Sequence, residues 1–363
     1  MQQILVGYKS IETALKEIDS RRYMLVCDSS FPFLPIKDLL MTDVVFDQFT
    51  PNPFYEQVCK GVEMFNDHHC DSIIAVGGGS TIDVAKCIKL YCKMDSAQNY
   101  LQQECVDSGV PLIAVPTTAG TGSESTRYAV IYFEGKKQSV THESIVPNYA
   151  ILEPMLLKTL PHYQKKCTML DALCQGIESW WSVNSNDESI QYSRTAVKLI
   201  VTHWRDYIFD NTATAAAGIM EAANYAGRAI NITQTTAPHA MSYKITSMFG
   251  LPHGHAVAIC LPEVWDYMKG HLDQCIESRG KDYLKQIFVD IAQEFDCQTV
   301  HDVILKFRGM LKELQIGGIS SCNKENDIEV LSKSVNPIRL KNNPVRLSEE
   351  IIRNLYGQLL KRV

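Results

Sequence analysis

Short apolar runs mark the first part of the chain, and helically spaced apolar residues mark most of the rest. Tyr23–Cys27, Val44–Phe46, Ser72–Val76, Leu112–Val115, Tyr128–Phe133 and Tyr149–Leu152 are brief apolar stretches, and they predict strands. Phe54–His68 and Thr81–Cys92 carry apolar residues at helical spacing between them. Strands alternating with helices predict an α/β fold with a parallel sheet covered on both faces. After about Pro154 strand-like runs nearly vanish. Lys166–Trp181, Ser189–Ile208, Thr212–Ala229, His255–Met268, Asp282–Phe295, Val300–Leu314 and Ser348–Arg362 all read as helices. The polar stretch Asn323–Asn343 reads as surface loop with a short helix. The division expected is an α/β domain over residues 1–156 and an all-helical domain over residues 157–363.

Composition narrows the class. The chain has 363 residues, 45% of them hydrophobic and 21% charged, which suits a globular protein with substantial cores. A net charge of −6 argues against a broad nucleic-acid surface while leaving room for a local basic pocket. The 12 cysteines are scattered and form no Cys-x-x-Cys pair, the pattern of reduced thiols rather than of a disulfide frame or a zinc ribbon. The start, Met1-Gln-Gln-Ile4, lacks the basic end and apolar core of a signal peptide, and no apolar stretch is long enough to span a bilayer. A cytoplasmic protein without a membrane partner is expected.

Two small-residue loops follow apolar strands. The first is Gly77-Gly78-Gly79-Ser80, with Asp83 inside the helical turn beyond it. The second is Thr117-Thr118-Ala-Gly-Thr121-Gly-Ser123. Glycine removes the Cβ that would keep a pyrophosphate from the backbone, and a helix N-terminus adds free N–H donors and positive potential. The other reading is a tight strand-to-helix turn with no ligand, and the second loop, rich in hydroxyls, weighs against it. Neither loop carries the Gly-Lys-Ser/Thr of an ATP-binding P-loop. Asp28 ends the Tyr23–Cys27 strand, where an acid either accepts from ribose hydroxyls and repels a 2′-phosphate, favouring NAD(H) over NADP(H), or is simply solvated.

Three polar clusters lie in the helical half. Asp171 and Gln175 are four residues apart, on one helical face, with Glu178 beyond them. His239 begins a second cluster with Tyr243 and Lys244, and His253 and His255 form a third after the turn at Gly250-Leu-Pro252. A carboxylate and two imidazoles suit Fe²⁺ or Zn²⁺, although two of ten histidines also come close in sequence by chance.

These motifs, in this order and spacing, resemble the iron-containing alcohol dehydrogenase family, which includes glycerol dehydrogenase and is related to dehydroquinate synthase. The likeness spans nearly the whole chain and rests on Gly77–Asp83, Pro116–Glu124, Asp171-Ala-Leu, Pro252-His-Gly and His239. It implies a Rossmann-like N-terminal domain and a helical C-terminal domain, with nicotinamide and metal in the cleft between them. It implies cofactor contacts from Gly78, Gly79 and Ser80 to the pyrophosphate and from Thr117, Thr118 and Thr121 along its path. Thr126, Tyr128, Lys137, Leu157, Asp28 and Asn52 complete the cofactor set. Asp171, His239 and His253 match three family metal ligands. The fourth family ligand is a histidine, and here it is Gln175, a neutral and weaker donor. The ion is then held by three strong ligands plus Gln175, or bound weakly, or absent as in maleylacetate reductases; a retained Fe²⁺ or Zn²⁺ is the expectation. Relatives assemble as dimers or larger, so a homodimer is expected by resemblance alone.

The family reduces aldehydes or ketones, or oxidises the matching alcohols. His255 is the expected catalytic proton relay, or else a substrate contact or a helix-terminal histidine without chemistry. Arg127 and Lys244, with Arg194 and His142, are candidates for a cationic pocket that binds an anionic head group, or are ordinary surface charges. Asp171–Ser182, Ala240–Ser247 and Gly250–Ala258 are similar in wording to a branch of the family that reduces phosphonoacetaldehyde to 2-hydroxyethylphosphonate. The expected activity is therefore NAD(P)H-dependent reduction of a small anionic aldehyde. The alternatives are another small aldehyde, alcohol or keto acid, a lyase of the dehydroquinate synthase type, and a binding protein without turnover.

Overall fold

The computed structural model describes residues 2–360, which form two compact units, the chain dividing between Leu160 and Pro161. The first unit holds a six-stranded, wholly parallel sheet. Its strands are β1 (Gln3–Val6), β2 (Tyr23–Cys27), β3 (Val45–Phe46), β4 (Ser72–Gly77), β5 (Leu112–Pro116) and β8 (Tyr149–Leu152), in the order β1-β8-β5-β4-β2-β3. The central strand β4 is buried throughout, as a sheet covered on both faces requires. Its alternation sorts side chains to two cores. Ile73 and Ala75 pack with Val58, Val62, Ile82 and Ile88, which come from the helices α2 (Tyr55–Asp67) and α3 (Gly79–Tyr91). Ile74 and Val76 pack on the opposite face with Leu25, Ile113, Ile151 and with Ile11 of α1 (Ser10–Glu17).

Two details differ from the sequence reading. The strand β6 (Tyr128–Phe133) does not join the parallel sheet but pairs antiparallel with β7 (Lys136–Thr141) in a separate ribbon. The cause is the turn Glu134-Gly135, where both residues have positive φ and fold the chain straight back. Residues 323–343 contain a full helix, Lys324–Ser334, and a short one, Pro337–Leu340, in place of a mostly irregular stretch.

The second unit is helical: α4 (His162–Trp181), α5 (Asp187–Arg205), α6 (Ala213–Thr233), α7 (Ala237–Phe249), α8 (His253–Gly270), α9 (Lys281–Glu294), α10 (Val300–Glu313), α11 (Lys324–Ser334), α12 (Pro337–Leu340) and α13 (Glu349–Leu359). Helix α4 is the axis of this unit, with Leu170, Leu173, Ile177, Trp180 and Trp181 fully enclosed. Each such side chain contributes about 1.5–3 kcal/mol of burial. Enclosure all round makes α4 a rigid platform for its polar residues. No helix among the described residues is long and apolar enough to cross a membrane.

Candidate active site and metal centre

In the first unit the register Gly77↔Pro116 and Cys27↔Val76 sets the carboxyl ends of β2, β4 and β5 side by side. Both glycine loops and Asp28 therefore share one edge of the sheet. The Thr117 amide donates to the Gly77 carbonyl at 3.0 Å and clips the loops together. A Cβ on Gly79 would lie 2.8 Å from Thr121 Cγ2, so glycine is needed here for the loops to pack on each other. Gly78 is the N-cap of α3 and supplies no side-chain cap, leaving the first-turn amides to face the loop region. Asp28 accepts from the Ser30 amide at 2.8 Å and from the Thr81 hydroxyl at 3.3 Å. The Asn52 amide, at positive φ, donates to the Ser80 hydroxyl at 3.2 Å.

Several other expected cofactor residues brace the loops. Asp83 accepts from the Ser123 hydroxyl at 2.6 Å and from the Val130 amide at 2.9 Å. The buried Lys86 donates to Ser123 at 3.1 Å, to the Thr126 carbonyl at 2.7 Å and to the Tyr128 carbonyl at 2.8 Å. Burial pulls its ammonium down to about 8 against the pull of Asp83 and Glu124. Lys86 was not among the sequence candidates, because a lysine on an apolar helix gives no local sign of its partners. Lys137 is exposed on β7, and Leu157 is fully buried in the turn Pro154–Leu157. Arg127 forms an ion pair with Glu143 and donates to the Tyr128 hydroxyl at 3.2 Å, so its charge is compensated locally. His142 accepts from the Ser144 amide at 3.2 Å through Nδ1.

In the second unit three polar clusters converge. Asp171 lies in the middle of α4, His239 in the first turn of α7, and His253 opens α8. One ligand atom from each lies within 4.8 Å of the others. His239 Nε2 stands 3.3 Å from Asp171 Oδ1, and His253 Nε2 stands 3.9 Å from the same oxygen. Gln175, buried, sits one turn along the same face of α4.

The support around these side chains decides which nitrogen each imidazole presents. Glu178, the next turn of that face, is fully buried and bonds His239 Nδ1. Its other oxygen accepts from the Thr236 amide at 2.8 Å and the Thr236 hydroxyl at 2.9 Å, where α7 begins. The Ser242 hydroxyl donates to the His239 carbonyl at 2.8 Å and lies 3.4 Å from His253 Nδ1. With Nδ1 of both rings occupied, both Nε2 atoms turn toward Asp171, the arrangement that carboxylate-supported metal sites use. Burial works against a charged His239, yet Glu178 and Asp171 outweigh it and raise the imidazolium to about 9. Two enclosed carboxylates thus draw positive charge into the centre. A carboxylate, two imidazoles presenting Nε2 and a neighbouring amide fit a divalent ion of the iron or zinc type.

Close approach of α8 to α4 makes the cluster possible. A Cβ on Gly254 would lie 1.9 Å from the Cys167 carbonyl oxygen and 2.9 Å from Asp171 Cβ. His255 follows, with Nε2 donating to the Gly317 carbonyl at 2.8 Å. Its Nδ1 must therefore accept from the Tyr163 hydroxyl at 2.7 Å. No His255 nitrogen is left over, and Tyr163, part-exposed, is the outer member of the pair. Burial holds the His255 imidazolium below the ordinary range.

The expected cations divide. Lys244 is half-buried on α7, five residues past His239 and therefore about 140° round the helix from it. Arg194 is not a free cation: it lies over the Trp180 ring and pairs with Asp290 at 3.8 Å and Glu294 at 3.5 Å on α9. The guanidinium of Arg339 on α12 lies over the Tyr243 ring, 5.5 Å from its centroid. That ring stacks on His253 with centroids 5.5 Å apart.

Residues 2–154 match the family description "Iron-containing alcohol dehydrogenase", and residues 166–360 match "Fe-containing alcohol dehydrogenase family, C-terminal". The chain belongs to the iron-containing alcohol dehydrogenase family. Members of this oxidoreductase family similar to it include a phosphonoacetaldehyde reductase of Streptomyces viridochromogenes, 30% identical over 79% of this chain and 76% of that one. A long-chain-alcohol dehydrogenase of Geobacillus thermodenitrificans is 29% identical over 86% of this chain and 80% of its own. The fold matches the crystal structure of sulfoacetaldehyde reductase from Bifidobacterium kashiwanohense in complex with NAD⁺. The TM-score is 0.86 at 24% identity, over 99% of this chain and 97% of that one.

Proposed function

We propose that this oxidoreductase reduces a small anionic aldehyde, phosphonoacetaldehyde, to 2-hydroxyethylphosphonate with NADH. The observation that carries the reading is the convergence of Asp171, His239 and His253 on one point beside the neutral donor Gln175. The 30% identity with a phosphonoacetaldehyde reductase supports the choice of substrate. Per turnover one hydride passes from NADH to the carbonyl carbon and one proton to its oxygen, giving the alcohol and NAD⁺.

An Fe²⁺ or Zn²⁺ held by Asp171, His239 and His253, with Gln175 as a weaker fourth donor, supplies Lewis acidity for polarising a carbonyl. The protein's own groups do the rest. Glu178 and Ser242 hold the two imidazoles in orientation. The His255–Tyr163 pair, buried at the imidazole and exposed at the hydroxyl, is the candidate proton path. Gly78, Gly79, Ser80 and the α3 amides bind pyrophosphate, and Asp28 favours NADH by repelling a 2′-phosphate.

A second reading, reduction of an uncharged aldehyde or oxidation of its alcohol, draws on the 29% identity with a long-chain-alcohol dehydrogenase. Loss of NADH absorbance tests both. Protein stripped with chelator and reloaded with Fe²⁺ or Zn²⁺ is assayed with phosphonoacetaldehyde, propanal and octanal, using NADH and NADPH. The proposal expects the highest kcat/KM with phosphonoacetaldehyde, NADH and added metal. Preference for octanal establishes the second reading, and full activity in the stripped protein refutes the metal role.

A further inference from the structure

The cationic pocket expected from the sequence used charges near the motifs, and a different cation, Arg339, lies over the Tyr243 ring. Arg339 is half-buried on α12 with its guanidinium 5.5 Å from the Tyr243 ring centroid. It has no carboxylate partner among the described residues. Tyr243 is one helical turn beyond His239 on the same face of α7, and its ring is stacked on His253 at 3°. Arg339 is thus two 5.5 Å steps, at most, from the imidazole of a metal-binding residue.

The segment that carries it is tied down. Asn342 is buried and donates to the Gln234 side chain at 3.1 Å and to the Thr235 carbonyl at 3.2 Å. It accepts from Asn184 at 3.0 Å. These bonds anchor the chain after α12 to the stretch that leads into Thr236 and His239, so the guanidinium and the imidazoles are positioned by the same backbone. An uncompensated, part-desolvated guanidinium beside a carbonyl-binding centre has a definite use. Its planar fork binds phosphonate or sulfonate oxygens in pairs, which an ammonium cannot reproduce.

We infer that Arg339 is the specificity-determining residue for substrate, binding the anionic head group while the aldehyde end lies at Asp171, His239 and His253. A two-carbon aldehyde with a tetrahedral anionic head offers a carbonyl at one end and paired oxygens for a guanidinium at the other, whereas a long apolar chain would bury its tail against a charge. The assignment rests on the proposed aldehyde reductase activity.

The test uses full-length, metal-loaded protein and the variants Arg339→Ala and Arg339→Lys, with phosphonoacetaldehyde and with propanal, an uncharged aldehyde of similar length. Ethylphosphonate, which cannot be reduced, is titrated as an inhibitor of propanal reduction. Arg339→Ala should raise KM for phosphonoacetaldehyde at least about tenfold with kcat within about twofold, and weaken ethylphosphonate inhibition by a like factor. It should leave KM for propanal unchanged or lower, which also shows that the variant is folded. Arg339→Lys should recover part of the loss. Equal effects on both aldehydes, or none on either, overturn the assignment while the activity stands. A wild-type protein that oxidises NADH with no aldehyde overturns the activity itself.

Discussion

Gly254 is the position at which one methyl group should dismantle the proposed metal centre. It is the second residue of α8 and packs directly on α4. The added Cβ of Gly254→Ala would lie 1.9 Å from the Cys167 carbonyl oxygen, while real contacts begin near 3.0 Å. The helices must therefore part by about 1.1 Å, the difference between those distances, because a backbone carbonyl inside a helix cannot rotate away. Asp171 is one turn past Cys167 and His253 is next to Gly254, so the separation opens the 3.9 Å gap between their ligand atoms. Metal sites tolerate about 0.2 Å in ligand distance. We expect a stability cost of about 1–3 kcal/mol, typical of overpacking, and loss of most bound metal. The control is Gly250→Ala, where φ is +68° and no atom lies within 4 Å of the new Cβ. Its cost is similar, about 1–2 kcal/mol, but comes from backbone strain alone, so its metal should stay. The assay is metal per chain after loading with Zn²⁺ and dialysis, together with the fall in Tm on adding chelator. If Gly254→Ala holds wild-type metal and loses as much Tm on chelation as the wild type, the packing argument is wrong.

Other substitutions separate further links. Glu178→Gln keeps an acceptor for His239 but removes the buried charge, and should weaken Zn²⁺ binding about 10–100-fold in competition with a chelating dye; affinity within threefold of wild type would mean Glu178 serves only the fold. Tyr163→Phe removes the donor to His255 Nδ1, and should lower kcat about tenfold or more and move its pH profile with little change in KM; an unchanged profile excludes this pair as the proton path. Lys86→Met should cost the first unit about 3–5 kcal/mol in urea unfolding by stranding Asp83, and adding Asp83→Asn should restore part of it. Because Lys86 falls to about 8 in the folded protein from 10.5, its titration adds stability that is full above 10.5 and lost as pH falls through about 8. The pH slope across that window should flatten in Lys86→Met, and parallel slopes would contradict it.

What the amino-acid order determined by itself was local. The apolar run of β4 and the glycine turn after it needed only neighbours along the chain, so the strand of the parallel sheet and the turn that ends it were legible. The spacing of Asp171 and Gln175 put them on one face of α4 whatever surrounded them. Where a signal was weak or doubly readable the sequence fell short. Gln3–Val6 is four residues at a sheet edge with little burial, and Tyr128–Phe133 has the composition of a sheet strand but the turn Glu134-Gly135 sends it into a ribbon. Lys324–Ser334 has few apolar residues and looked irregular.

Tertiary structure alone decided the rest. Packing of α7 and α8 on α4 chose His239 and His253 as Asp171's partners and gave Glu178 its role. It closed His255 between Tyr163 and Gly317, and compensated Arg194 with α9. It also brought Arg339 to Tyr243 from a helix distant in sequence. Periodicity and turn chemistry act over a few residues of backbone, so they can be read along a line; the meeting of side chains from separate helices depends on how whole faces pack, and no local pattern encodes that.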